Sequence, residues 1–201
     1  MTVLVGRKAP DFVVPAVLAN GDIVNNFNLT KAIDQKYGLV FFYPLDFTFV
    51  CPSELIALDH AINEFHKRNV EVVAVSIDSQ FTHYAWRNVS IEKGGIGPVR
   101  YTLAADVAHS ICRSYGVEHC EASVALRSAF LIDKQGIVRS QIVNDLALGR
   151  SIPEILRIVD ALQFTEEHGK VCPANWKKGD LGIYPSPEGV AKYLAENAHN
   201  L

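Results

Sequence analysis

Residues 39–65 read LVFFYPLDFTFVCPSELIALDHAINEF, and this stretch decides the fold class. The unbroken apolar run Leu39-Val40-Phe41-Phe42-Tyr43 fits a strand buried on both faces, the condition of a sheet covered by helices. Proline and aspartate in PLDFTFV then punctuate a loop. Beyond it, Leu55, Leu58, Ile62 and Phe65 recur at the spacing of one helix face. Cys51 stands at the junction, at the N-terminus of the coming helix, where the helix dipole favours thiolate over thiol. Pro52 suits a first helical turn, and Thr48 lies one turn before the cysteine, near enough to share its face. Free cysteine is often only a small buried hydrophobe. This one has the surroundings of a nucleophile.

Outward from that unit, strands over 38–43, 70–77, 101–105, 128–132 and 137–143 alternate with helices over 52–68, 80–88, 108–115 and 152–163. The alternation predicts an α/β protein whose sheet is mostly parallel and covered by helices on both faces. Lys134-Gln135-Gly136 reads as a hairpin turn, so the last two strands should pair antiparallel at one side of a mixed sheet. A main domain over 1–165 is expected to be followed by an arm over 166–201, where Val171-Cys172-Pro173, Lys177-Lys178-Gly179, Pro185 and Pro187 interrupt any regular element. Ser186-Pro187-Glu188 has the pattern of a helix N-cap, leading into a short helix with Val190, Tyr193 and Leu194 on one side.

The chain has 201 residues, 49% of them hydrophobic, and a formal net charge of −3, enough for one substantial core. It lacks the basic stripe interleaved with aromatics that nucleic-acid binding needs. No segment approaches a bilayer span, and the N-terminal charges follow the apolar residues, the reverse of a secretory signal. A cytoplasmic protein without nucleic-acid or membrane partners is the expectation. Four cysteines, at 51, 112, 120 and 172, are too few and too scattered for a disulfide framework, so any disulfide should be transient and catalytic.

Two motifs point elsewhere. Gly94-Gly95-Ile96-Gly97-Pro98 lacks the spacing of a dinucleotide fingerprint and reads as a turn-rich loop. His109, Cys112, His119 and Cys120 suggest zinc ligands, but the gap between the cysteines fits neither finger nor ribbon, and no metal or cofactor is expected. In Cys51-Pro52-Ser53-Glu54 a dithiol oxidoreductase would place its second cysteine at 54, where this chain has glutamate. A partner thiol must therefore come from far along the sequence, and Cys172 on the arm is the best candidate.

PLDFTFVCPSE, GGIGP at 94–98, Arg127 in ALRSAFLID, GRS at 149–151 and VCPANWKKG at 171–179 together resemble the typical two-cysteine peroxiredoxins, the group that includes alkyl hydroperoxide reductase peroxidase subunits. The resemblance runs from Gly6-Arg7-Lys8-Ala9-Pro10-Asp11-Phe12 to the terminal helix. It implies a thioredoxin-like fold with an N-terminal extension and a thiol-dependent peroxidase. Residue by residue, it implies that Cys51 is the peroxidatic cysteine, with Thr48, Arg127 and Pro44 shaping its pocket. Glu54 and Arg150 would support the arginine, and Cys172 would be the resolving cysteine acting on a partner subunit. It further implies a homodimer with an intersubunit disulfide, a ring of five dimers, and recycling by a dithiol donor such as thioredoxin or a flavoprotein reductase subunit.

One departure stands out. Members of that family that overoxidise easily carry Gly-Gly-Leu-Gly and a C-terminal Tyr-Phe, whereas this chain has Gly94-Gly95-Ile96-Gly97 and Tyr193-Leu194. The smaller Leu194 should hold the terminal helix less firmly and give moderate resistance to sulfinic acid formation. Two other readings of the same residues are a thiol-disulfide oxidoreductase and, as a secondary role, a holdase chaperone.

Overall fold

The computed structural model describes residues 3–200. Its centre is a seven-stranded mixed sheet in the order β2-β1-β5-β4-β3-β6-β7. The strands are β1 (Val13–Val17), β2 (Ile23–Asn28), β3 (Tyr37–Phe42), β4 (Val70–Ser76), β5 (Thr102–Ala105), β6 (Arg127–Ile132) and β7 (Val138–Asn144). All six residues of β3 are buried, as the apolar run predicts for a central strand. Its alternate residues split between two faces: Val40 and Phe42 join one core with Val73, Val75, Phe130 and Ile132, while Leu39 and Phe41 are equally buried on the other.

The sheet is α/β in character but not mostly parallel. Only β3–β4 and β4–β5 run parallel, whereas β1–β2, β1–β5, β3–β6 and β6–β7 are antiparallel. The difference comes from β1 and β2, which the sequence pattern does not reveal. β1 contains Pro15, and its register with β2 shifts between Val14 and Ala16, where the proline falls. β2 reads IVNNFN, and its asparagines lower its strand signal. Helix α1 (Leu29–Ala32) follows, with the Asn28 side chain accepting from Lys31 N at 2.8 Å.

The expected helix over 52–68 is two helices, α2 (Cys51–His60) and α3 (Ile62–Lys67), which meet at Ala61. Leu55, Leu58, Ile62 and Phe65 are fully buried, so the apolar face survives the break. Helix α4 (Gln80–Arg87) is capped by Ser79, and α5 (Ser110–Ser114) is shorter than its pattern suggested. The hairpin at 134–136 is present: Gly136 has φ 76° and donates to Asp133 O at 2.9 Å. The loop at 94–98 is also turn-rich. Gly94 and Gly97 take left-handed φ, and a Cβ on Gly95 would lie 2.0 Å from Val89 O.

The chain divides into two compact units, Met1–Ile152 and Pro153–Leu201. The first holds the whole sheet. The second holds α6 (Ile152–His168) from its second residue and α7 (Pro187–Asn197), with the Cys172 segment between them. Helix α6 runs five residues past 163, because Thr165 donates to Leu162 O and His168 stacks on Phe164 at 4.5 Å, continuing the helix through polar residues. The segment after it is pinned by Trp176. Its ring is 2% exposed and lies 4.9 Å from Phe164, its Nε1 donates to Asp180 O, and Arg157 Nη1 donates to its carbonyl at 2.9 Å. Ser186 caps α7 as its pattern predicts, accepting from Gly189 N. No residue of α7 is buried, and Val190 and Leu194 are each 42% exposed. Among the described residues no helix is long and apolar enough to cross a membrane.

Candidate active site around Cys51

Cys51 is the first residue of α2 and is fully buried. The N-cap, Val50, has no side chain that can cap the helix, and Pro52 in the first turn has no N–H to leave unpaired. The sulfur therefore sits in the first turn of α2, at the positive end of the helix dipole.

Arg127 opens β6. The antiparallel register pairs Phe42 with Ser128, so the residue before Ser128 falls beside the end of β3, where the loop to Cys51 begins. Arg127 Nη1 lies 3.3 Å from Cys51 Sγ and donates to Glu54 Oε2 at 2.8 Å, while Nε donates to Leu146 O at 2.6 Å. Glu54, one turn into α2, shares its carboxylate with a second arginine. Arg150 donates from its backbone N and Nε to Oε1 and from Nη2 to Oε2, at 2.8, 2.8 and 3.0 Å. Arg150 Nη1 also donates to Ser128 O, and its guanidinium packs 3.3 Å over the Phe41 ring. Burial pushes the Glu54 carboxyl up, but the hydrogen bonds and charge of Arg150, then the charge of Arg127, outweigh it and leave the group below the usual glutamate value. Burial likewise lowers Arg150, against the hydrogen bonds and charge of Glu54, which raise it.

Pro44 is buried at the start of the loop. Thr48 is half-buried and lies in this loop rather than on the helix, because α2 begins only at Cys51. Its hydroxyl donates to Leu45 O at 2.9 Å, so its lone pairs rather than its proton are available to a ligand. Cys51, Arg127, Glu54 and Arg150 are thus brought together in one hydrogen-bonded group, with Thr48 and Pro44 on the adjoining loop. Among the described residues no buried side-chain N or O lacks a hydrogen-bond partner.

A second buried group holds the loop from behind, and sequence spacing gave no sign of it. Asp46 Oδ1 accepts from Tyr43 OH at 2.7 Å, and its Oδ2 lies 2.8 Å from His83 Nδ1 on α4. Asp46 N donates to Asp78 Oδ2, and His83 Nε2 lies 3.3 Å from Ala104 O. Next to Asp46, Phe47 adopts φ 56° and packs 5.6 Å from Trp86. Such a left-handed conformation in an aromatic residue persists only where neighbours impose it. His83→Ala should therefore lower stability by about 2–4 kcal/mol, through a cavity and the loss of the partner of buried Asp46 Oδ2, while Tyr43 OH keeps Oδ1. An unchanged denaturation midpoint would remove the anchoring role.

The other cysteines differ in surroundings. Burial, with the Asp106 carboxylate next in weight, pushes the Cys112 thiol up to about 12. Cys120 is exposed. In the second unit Cys172 is half-buried, its Sγ 3.7 Å from Ala161 O, and burial raises its thiol against the opposing charge of Arg157.

Comparison with known proteins shows the family of the chain. Residues 5–141 match the model of the AhpC/TSA family, and residues 161–196 match the C-terminal domain of 1-Cys peroxiredoxin. Alkyl hydroperoxide reductase C of Buchnera aphidicola subsp. Baizongia pistaciae is 52% identical over 192 residues, covering 96% of each chain. Mouse Peroxiredoxin-2 is 45% identical over 195 residues, covering 96% of both. The crystal structure of a reduced 2-Cys peroxiredoxin from Plasmodium vivax matches with a TM-score of 0.93 at 52% identity, over 96% of this chain and all of that one.

Proposed function

Because the chain belongs to the AhpC/TSA family, and is by that membership a thiol-dependent peroxidase, we propose that Cys51 is its peroxidatic cysteine and Cys172 its resolving cysteine. The observation that carries the first assignment is Arg127 Nη1 at 3.3 Å from a buried Cys51 Sγ at a helix N-terminus. In this reading the Cys51 thiolate attacks one peroxide oxygen, the O–O bond breaks, and the other oxygen leaves as hydroxide or alkoxide and takes up a proton. Cys51 is left as sulfenic acid. Thr48 Oγ1, with its own proton turned to Leu45 O, accepts from the peroxide hydroxyl. Arg127 and the free N–H groups of the α2 start donate to the oxygens as charge develops. Pro44 closes the pocket behind the loop. Glu54 and Arg150 do not touch the substrate and act by fixing Arg127.

Cys172 then attacks the sulfenic sulfur, water leaves, and a disulfide forms that an external dithiol reduces by exchange. The names of the relatives that read 2-Cys peroxiredoxin support a second working cysteine, and the proposal takes that thiol from a partner subunit, hence a homodimer with an intersubunit disulfide. A ring of five dimers, a cytoplasmic site, and thioredoxin or a flavoprotein reductase subunit as donor complete the proposal. The oxidoreductase alternative is disfavoured because Glu54, where its second thiol would sit, is held by two arginines. A holdase role remains secondary. The test is peroxide-dependent oxidation of nicotinamide cofactor, with hydrogen peroxide or a small alkyl hydroperoxide, through either donor system. Turnover with at least one is expected, and none with either would sink the reading.

Resistance to overoxidation belongs to the same proposal. Leu194 is 42% exposed on a helix with no buried residue, which supports a terminal segment held only weakly. Leu194→Phe should restore apolar area worth up to about 1 kcal/mol and raise the sulfinic fraction of Cys51 during turnover. Equal sulfinic fractions by intact mass would count against Leu194 as the determinant.

A further inference from the structure

We propose that His109, Cys112 and Glu118 form a binding site for a borderline divalent cation of the zinc type, apart from the chemistry of Cys51. One donor atom from each, an imidazole nitrogen, a thiol sulfur and a carboxylate oxygen, lies within 4.8 Å of the other two. Zinc bonds of about 2.3 Å to sulfur and about 2.0–2.2 Å to nitrogen and oxygen require the more widely separated donors to close on the ion by side-chain rotation. His119 and Cys120, adjacent in sequence, do not join the group, and His119 Nδ1 already accepts from Glu121 N and Ala122 N.

The backbone brings the three together. His109 is the N-cap of α5 with φ 58°, a strained conformation for a residue with a Cβ, and its ring nitrogen meets Glu118 rather than capping the helix. Cys112 follows one helical turn later, its sulfur 3.4 Å from His109 O. The chain turns at Gly116, φ 67°, and returns Glu118, which bridges to Ala125. Asp106 accepts from Ile111 N and Cys112 N, so a second carboxylate stands at the same helix start. Thiol and imidazole together select a zinc-type ion over calcium or magnesium. The His109 and Glu118 side chains are 21% and 22% exposed, so solvent reaches the site, while Cys112 forms its buried floor.

The cation must displace existing bonds. His109 Nδ1 lies 2.7 Å from Glu118 Oε1, and Arg113 donates from Nε to Oε2 at 2.7 Å and from Nη2 to Oε1 at 3.1 Å. On binding, the Nδ1 proton moves to Nε2, the Cys112 thiol proton passes to solvent, and the ion enters between nitrogen, oxygen and sulfur. Arg113 keeps Oε2, and water fills the fourth position. Arg113 is therefore a competitor for the carboxylate.

The probe is cobalt(II), titrated into reduced full-length protein carrying Cys51→Ser and Cys172→Ser, with the thiolate-to-cobalt charge-transfer band as readout. The band should saturate at one cobalt per chain and bleach on adding zinc. It should vanish in Cys112→Ala, weaken in His109→Gln and Glu118→Gln, and persist in Cys120→Ala. Arg113→Gln, a surface change, should tighten binding about threefold, the equivalent of one exposed ion pair. No band, a band surviving Cys112→Ala, a band lost with Cys120→Ala, or unchanged or weaker binding in Arg113→Gln overturns the proposal.

Discussion

Arg127→Ala slows the oxidation of Cys51 by peroxide by about 10²–10³-fold, the usual consequence of removing one preorganised donor from a site of developing negative charge. Ionisation alone accounts for less. An ordinary thiol is about 3% ionised at pH 7, so complete ionisation gains at most about thirtyfold, and the lower nucleophilicity of a more acidic thiol reduces even that. The geometry supports an action chiefly on the transition state. Its Nε is committed to Leu146 O, and its Nη1 is held by Glu54 Oε2 while facing Cys51 Sγ, so it needs little reorganisation when charge appears on an oxygen nearby. Arg127→Lys keeps the charge but not the fixed fork, and should recover only part of the rate. Rapid-mixing measurements of Cys51 oxidation beside its thiolate titration decide the matter. Equal losses in rate and in thiolate fraction would refute the donor role.

Glu54→Gln destabilises the protein by about 3–5 kcal/mol, because the change leaves two buried guanidinium groups without their shared counter-charge. The glutamine oxygen can still accept the two Arg150 bonds made to Oε1, but an NH2 in place of Oε2 removes the acceptor of Arg150 Nη2 and of the Arg127 Nη1 bond that aims the arginine, and Arg150 is 8% exposed. The effect depends on pH with a definite sign. The folded Glu54 carboxyl lies below its ordinary value, so its stabilisation is complete above the usual glutamate range and disappears as pH falls through the folded value. Denaturant curves of wild type and Glu54→Gln should therefore differ most near neutrality and converge in acid. A gap that persists unchanged into acid would place the effect elsewhere than in the ionised carboxylate.

Legibility followed local signal. The β3-to-α2 unit is visible because a continuous apolar run meets a helical period at Cys51, and the hairpin is visible because Gly136 supplies a left-handed turn. β1 and β2 escape because Pro15 and a run of asparagines contradict strand propensity, which tertiary pairing then overrides. Without them the sheet reads as mostly parallel. Within the site, Cys51 is legible from chain-local chemistry. Arg127 and Arg150 are 76 and 96 residues away from their partners Cys51 and Glu54, so only the family resemblance could join them. Asp46 and His83 escaped even that, since an aspartate in a loop and a histidine on an amphipathic helix look ordinary until the fold stacks them behind the cysteine.

In the proposed cycle peroxide oxidises Cys51 and Cys172 of another subunit resolves it. Reduced protein should be treated with one equivalent of hydrogen peroxide and run on a non-reducing denaturing gel beside Cys51→Ser and Cys172→Ser. A covalent dimer is expected in the wild type and in neither variant. A wild-type monomer with both thiols still free, or a dimer that survives either substitution, would contradict it.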